Sequence, residues 1–260
     1  MGFDNQTVWK HPLVKQFMKG VRREHKIHRS LVPSWDLTLV LKALTTPPFE
    51  PLESVSLKHL TLKVALLIAL TTAKRVSDLH ALSTSPDCMR FDERSSKVAL
   101  KANPAFIPKN AHSVCVPVNL QAFHPPPFAS EEDRKLNSLC PVRALRIYVD
   151  RLAPYRQGNQ LFVSWDARTK GKPVTKVTIS NWIVQAIRLA YTSQQVDPPQ
   201  ALRAHSTRGM AASWALHKGV SIQEICTAAS WATSSTFATY YNLDVAAPSV
   251  AHAVLQAAVP

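Results

Sequence analysis

A chain of 260 residues with 46% hydrophobic content has room for one large domain, or one domain with a small appendage, and is too apolar for general disorder. Thirty-one Lys and Arg against seventeen Asp and Glu give a formal charge of +14, which points to a polyanionic partner and leaves DNA, RNA and an anionic membrane open. The longest apolar run, Val64 to Leu70, falls far short of the roughly 20 residues a spanning helix needs, and no secretory signal is visible near Trp9, so an intracellular protein without a membrane span is expected.

The first thirty residues carry Lys19, Arg22, Arg23, Lys26 and Arg29 and end at a break marked by Pro33, which reads as the last helix of something larger and a linker. From Trp35 onward Leu37, Val40, Leu41 and Leu44 recur at helical spacing until Pro47 and Pro48 stop the helix. A strongly apolar helix follows over about Leu57 to Thr72 and delivers Lys74 and Arg75 at its end. Lys97 to Lys101 and Ser113 to Val118 are β-type runs, the second alternating through Val114, Val116 and Val118, and they predict a small antiparallel hairpin or sheet. Residues 121 to 135, rich in Pro and charge, predict an exposed loop. Pro141 opens a helix with Val142, Leu145, Tyr148, Val149 and Leu152 on one side, and Leu161 to Trp165 suggests a further short strand.

The last hundred residues return to helix. Ile179, Trp182, Ile183, Ala186, Ile187 and Ala190 mark an amphipathic helix. His205 to His217 forms the next, which Gly219 can close in a left-handed cap, and Ser221 with Glu224 is a capping box for another. Thr233 to Ser235 supply the cap for the final turns, which carry Tyr240 and Tyr241. Val250, Val254 and Leu255 suggest a short apolar helix within Ser249 to Ala258, docked on its own domain or on a neighbouring protomer.

Cys88, Cys115, Cys140 and Cys226 are widely spaced and form no CxxC pair, so they read as reduced, mostly buried thiols. The ten His are scattered without an HxxxH or HExxH pair, and neither a metal nor a cofactor is expected.

His205 and Arg208 form an HxxR pair that places an imidazole and a guanidinium one helical turn apart, a geometry suited to two groups converging on a phosphate. Alone, the pair reads more readily as a solvated helix face. Its setting is more specific. Trp231 follows Arg208 by 23 positions, Tyr240 by 32 and Tyr241 by 33, and upstream Arg75 with Asp78 closes a core helix. In this order and spacing the chain resembles the tyrosine recombinases, the family of phage integrases and bacterial dimer-resolving recombinases, over about residues 33 to 245. Val32-Pro-Ser-Trp-Asp-Leu37, Pro48-Phe-Glu-Pro-Leu52, Ala73-Lys-Arg-Val-Ser-Asp-Leu79, Asn103-Pro-Ala-Phe-Ile-Pro-Lys109 and Thr236-Phe-Ala-Thr-Tyr-Tyr-Asn242 are similar to the recombinases of DIRS-type retroelements.

The resemblance implies a mixed, mainly α catalytic domain with a small antiparallel β-sheet, the tyrosine recombinase or integrase fold. It implies that Arg75 and Arg208 clamp the scissile phosphate, that His205 exchanges a proton with the phenol or donates to a phosphate oxygen, and that Trp231 donates its indole N–H. Asp78 then orients Arg75 or His205. The family's lysine, a general acid on a mobile hairpin, falls on Lys109 or, as the alternative, Lys101, and a phosphate-contacting surface role is open for each. The nucleophile is Tyr241 if the subfamily's aromatic-Tyr-Asn pattern governs, with its neighbour packed in the core. General family spacing from Trp231 selects Tyr240 instead. Arg22, Arg23, Lys26, Arg143, Arg146, Arg188 and Arg203 read as DNA-backbone contacts or solvated faces.

The domain expectation is a linker and remnant of an N-terminal DNA-clamping domain over 1–32, a catalytic domain over 33–245 and a tail over 246–260. The functional expectation is a nuclear DNA strand-transferase of a mobile element, working through a 3′-phosphotyrosine as a multimer on double-stranded DNA. Neither a membrane nor a small-molecule partner is expected. An inactive, domesticated DNA-binding derivative and a type IB topoisomerase-like relaxing enzyme are the rival readings.

Overall fold

Asp36 begins the first helix of the larger of two units, Met1–Leu31 and Val32–Pro260, into which a computed structural model divides the chain. The structure describes residues 8, 10–24, 32–108 and 117–245. In the smaller unit, α1 (Pro12–Glu24) displays Leu13 and Phe17 on its surface beside its basic residues.

In the larger unit α2 (Leu37–Ala43) is capped by the Asp36 carboxylate, which accepts the Leu39 N–H at 3.1 Å. The next helix, α3 (Leu57–Thr72), starts from a Ser56 cap and is buried nearly all round from Leu60 to Ala69. Each fully buried Leu or Ile along it contributes about 1.5–3 kcal/mol. It packs against α6 (Pro141–Leu152), α7 (Lys176–Ser193) and α8 (Ser206–His217), and so is the axis of the core. Among the described residues no helix is long and apolar enough to cross a membrane.

Lys63 is the exception within this helix: its ammonium is buried, donating to the Leu44 carbonyl at 2.6 Å and to the Glu50 carboxylate. Arg143 reaches the same carboxylate at 3.1 and 3.3 Å and Glu53 at 3.1 Å. Arg143, read from sequence as a DNA contact or a solvated face, is therefore held in an internal ion network. Arg146 lies 3.8 Å over the Phe91 ring and donates to Ser95.

Three short strands, β1 (Met89–Phe91), β2 (Lys97–Leu100) and β3 (Val118–Gln121), form an antiparallel sheet in that order, with Phe91 opposite Val98 and Leu100 opposite Val118. Of the run expected as a strand over Ser113 to Val118, only the last residue lies in β3, and residues 113–116, with Cys115, fall outside the described residues. The loop expected over 121–135 is shorter than predicted, because Ser130 caps α5 (Glu131–Asn137), whose three acids in the first turn and two bases in the last match the helix dipole. Leu161 to Trp165 is not a strand. Its Leu161, Phe162 and Val163 are fully buried, but its backbone bonds are scattered, with the Leu161 N–H donating to the Leu82 carbonyl at 2.8 Å, the Val163 N–H to the Tyr148 hydroxyl at 3.2 Å and Val163 forming an isolated bridge with Pro173, so no continuous ladder forms. Cys88, Cys140 and Cys226 are buried free thiols.

Beyond α7 come α8, α9 (Ile222–Ala229) and α10 (Ser234–Tyr240). Gly219 adopts φ +88° after α8, and Ser221 with Glu224 forms the capping box of α9. Thr233 stands at the N-cap of α10 without a side-chain capping bond. These helices enclose a second apolar cluster of Ala73, Ala212, Ile225, Cys226, Ala229, Trp231 and Phe237, against which Tyr241 packs. The start of the unit is bonded to this end: the Trp35 indole donates to Ser206 Oγ at 2.9 Å, and the Asp36 N–H donates to the Tyr191 hydroxyl at 2.6 Å. The domain is thus mainly helical with one small antiparallel sheet, as the sequence predicts. Val250, Val254 and Leu255 lie outside the described residues.

Candidate active site

Two left-handed residues set the position of the candidate site. Ala73 (φ 48°) ends α3 and turns the chain so that Arg75 becomes the N-cap of α4 (Val76–His80), and Ser230 (φ 54°) ends α9 immediately before Trp231. A non-Gly residue in this conformation costs roughly 1–2 kcal/mol. At both places the strained turn precedes a candidate site residue. The turns are joined by the Lys74 ammonium, which donates to Ser230 Oγ at 2.5 Å.

Asp78, the third residue of α4, accepts the Arg75 backbone N–H at 3.1 Å, so it fixes where the Arg75 side chain starts. At the head of α8, His205 is the exposed N-cap residue and Arg208 lies in the first turn with 1% exposure. One guanidinium nitrogen, Nη2, donates to the Ala229 carbonyl at 3.1 Å. Nε and Nη1 of Arg208 and the indole Nε1 of Trp231 are buried and have no hydrogen-bond partner among the described residues. Burial holds the Arg208 guanidinium below its ordinary pKa, with Tyr241 and Asp78 acting against that shift and Arg75 adding to it. Native proteins seldom bury unsatisfied donors, and three in one cluster, two of them on a cation, suit a bound oxyanion.

Tyr241 completes the cluster. Its ring stacks on Trp231 at 4.4 Å, with the Arg208 guanidinium 5.3 Å from its centroid and 5.1 Å from that of Trp231. Its hydroxyl lies 3.1 Å from His205 Nε2. Such a pair can pass the phenolic proton to the imidazole.

The fold therefore brings His205, Arg208, Trp231 and Tyr241 into contact, and places Arg75 and Asp78 near enough for their charges to act on Arg208. Tyr240 is 53% exposed, not packed in the core as expected. Helical phase was the wrong guide there: α10 ends at Tyr240, and Tyr241 leaves the helix with φ −133°. Lys101 is exposed one residue beyond β2, placed by the bond from its backbone N–H to the Cys88 carbonyl at 2.7 Å. Lys109 lies outside the described residues. Sequence reasoning missed the Ala229 carbonyl and Ser230, which act on the site through the backbone course and carry no motif of their own.

Comparison with known proteins adds three findings. The family model described as the Phage integrase family matches residues 49–246. Among solved structures, the XerA recombinase is similar over 99% of this chain and 77% of its own, with a TM-score of 0.51 at 17% identity. The XerH site-specific recombinase, in a pre-cleavage complex bound to its difH substrate, is similar over 80% of this chain with a TM-score of 0.53 at 15% identity, and this chain spans 50% of its length. No curated protein matches by sequence.

Proposed function

This chain belongs to the phage integrase family, and from that premise we propose that it is a DNA strand-transferase, cleaving and rejoining duplex DNA through a 3′-phosphotyrosine. The observation that carries the reading is the cluster in which Tyr241 stacks on Trp231 beside Arg208 and His205, with three buried N–H donors left unbonded. A backbone phosphate supplies the acceptor oxygens that these donors lack.

In the proposed reaction, Tyr241 Oη attacks the phosphorus and its proton passes to His205 Nε2. The bond from phosphorus to the 5′ oxygen breaks, and that oxygen takes a proton from a lysine of the segment between β2 and β3, Lys109 first and Lys101 as the alternative. Arg75, Arg208 and Trp231 hold the non-bridging oxygens as charge builds on them, where a preorganised donor in a water-poor site is worth most. Asp78 positions Arg75. The 3′-phosphotyrosine keeps the ester bond energy, so rejoining to a 5′-hydroxyl needs no nucleotide hydrolysis.

Tyr241 is preferred over Tyr240 because its hydroxyl neighbours His205, whereas Tyr240 is 53% exposed. The five stretches quoted above support an affiliation with DIRS-type retroelement recombinases, and with it integration of a mobile element in the nucleus. The charge of +14 supports double-stranded DNA as partner, and self-association on that DNA is part of the same reading.

The test is incubation with a nicked duplex whose short 5′-hydroxyl fragment diffuses away after cleavage. A denaturant-resistant protein–DNA adduct is expected. Tight DNA binding without an adduct on any nicked or intact duplex would contradict the reading.

A further inference from the structure

The geometry points to Ser213 as the residue that positions the nucleophile, holding the backbone on both sides of Asn242 from the buried face of α8. Ser213 is 2% exposed. Its hydroxyl donates to the Tyr241 carbonyl at 2.8 Å and accepts the Leu243 N–H at 2.8 Å. A serine hydroxyl has one hydrogen to give and lone pairs to receive, so this side chain serves both bonds at once. One turn earlier on the same face, Gly209 leaves space for the same segment: a Cβ there would meet Leu243 Cδ1 at 3.3 Å and the Tyr241 carbonyl oxygen at 3.4 Å.

The location matters because Tyr241 has left α10. Its N–H and that of Asn242 both return to the Phe237 carbonyl, at 2.9 and 3.0 Å, and after Asn242 the chain is not helical. The Tyr241 ring is held by its stack on Trp231 and its hydroxyl by His205, but without Ser213 the Tyr241 carbonyl would lose its bond to α8. With it, the Tyr241 carbonyl is fixed to the same rigid helix that carries His205 and Arg208, so nucleophile, imidazole and guanidinium share one frame of reference. A displacement of the attacking atom by about 1 Å is enough to cost roughly a hundredfold in rate. Ser213 thus acts through Tyr241 and touches no reacting atom.

The inference rests on the recombinase reading for its consequence, but the hold itself can be measured without DNA. Ser213→Ala, which removes one buried oxygen, is expected to accelerate amide hydrogen exchange at Leu243 in the free protein. On nicked DNA it is expected to slow adduct formation by about a hundredfold while the dissociation constant for uncleaved DNA stays within about twofold. Ser213→Thr keeps the hydroxyl and is expected to restore both readouts. Wild-type exchange at Leu243 in Ser213→Ala would overturn the hold whether or not the protein cleaves DNA. An unchanged adduct rate, or a Thr variant no better than Ala, would overturn the positioning role. A wild-type protein that forms no adduct would count against the recombinase reading, and exchange at Leu243 would still decide the hold.

Discussion

The Tyr241 hydroxyl lies 3.1 Å from Nε2 of His205, across 36 positions of sequence and within one chain. The candidate nucleophile and the candidate base are thus paired in the free protein. Tyr241→Phe keeps the ring that stacks on Trp231 and removes only the oxygen, so covalent trapping is expected to vanish while thermal stability changes by less than about 1 kcal/mol. Tyr240→Phe is expected to trap DNA at the wild-type rate. The opposite pattern would move the nucleophile to Tyr240.

Arg208 separates stability from function. A buried guanidinium with two unbonded nitrogens is costly in the free protein, and in the proposed reading a bound oxyanion would offset that cost. Arg208→Met is expected to raise stability by about 1 kcal/mol in urea unfolding and to abolish adduct formation. Most DNA affinity should remain, because one clamp weighs more on the transition state than on a contact spread over many phosphates. A variant that is both less stable and still reactive would show Arg208 to be structural.

The proton donor is separable by leaving-group chemistry. An oxygen leaving group needs an acid, whereas a sulfur in its place departs as a thiolate without one. Lys109→Ala is expected to slow cleavage of normal DNA by about 10²–10⁴-fold and to recover on a duplex carrying a 5′-bridging phosphorothiolate. Lys101→Ala is expected to change both substrates only slightly. Recovery confined to Lys101→Ala would reverse the two assignments.

The Lys63–Glu50 pair gives a pH signature away from the site. Burial pushes the Lys63 ammonium down to about 8 in spite of Glu50. Below that pH it is charged in the folded protein and relies on the carboxylate; above it the folded protein holds Lys63 neutral while the unfolded chain still binds the proton, so folding gains stability as pH rises. Glu50→Ala is expected to destabilise the domain by about 3 kcal/mol at pH 7, with a smaller deficit at pH 9. A deficit that grows with pH would contradict the placement of a charged Lys63 in the core.

Much of this was legible in the chain. α3 spans Leu57–Thr72, the bounds its apolar pattern predicts, and the interval from Arg208 to Trp231 carried the family likeness. Periodicity failed where tertiary bonds decide the path. Leu161 to Trp165 looks like a strand because it is apolar, yet a strand needs a neighbour and sequence does not supply one. α5 was hidden within a proline-rich stretch, although Ser130 and the acids after it are a readable start signal. The placement of the two tyrosines turns on where α10 stops, and the Ser213 bonds that guide the chain after that point join residues 28 and 30 positions apart.

The most direct measurement is mass-spectrometric mapping of the peptide that carries DNA after trapping on a nicked duplex. The expected product is a peptide bearing the 3′-phosphate of the cleaved strand on Tyr241, with a free 5′-hydroxyl on the released fragment. A 5′-phosphoryl linkage, attachment to a residue other than a tyrosine, or undiminished trapping by the Tyr240→Phe, Tyr241→Phe double variant would contradict the phosphotyrosine mechanism.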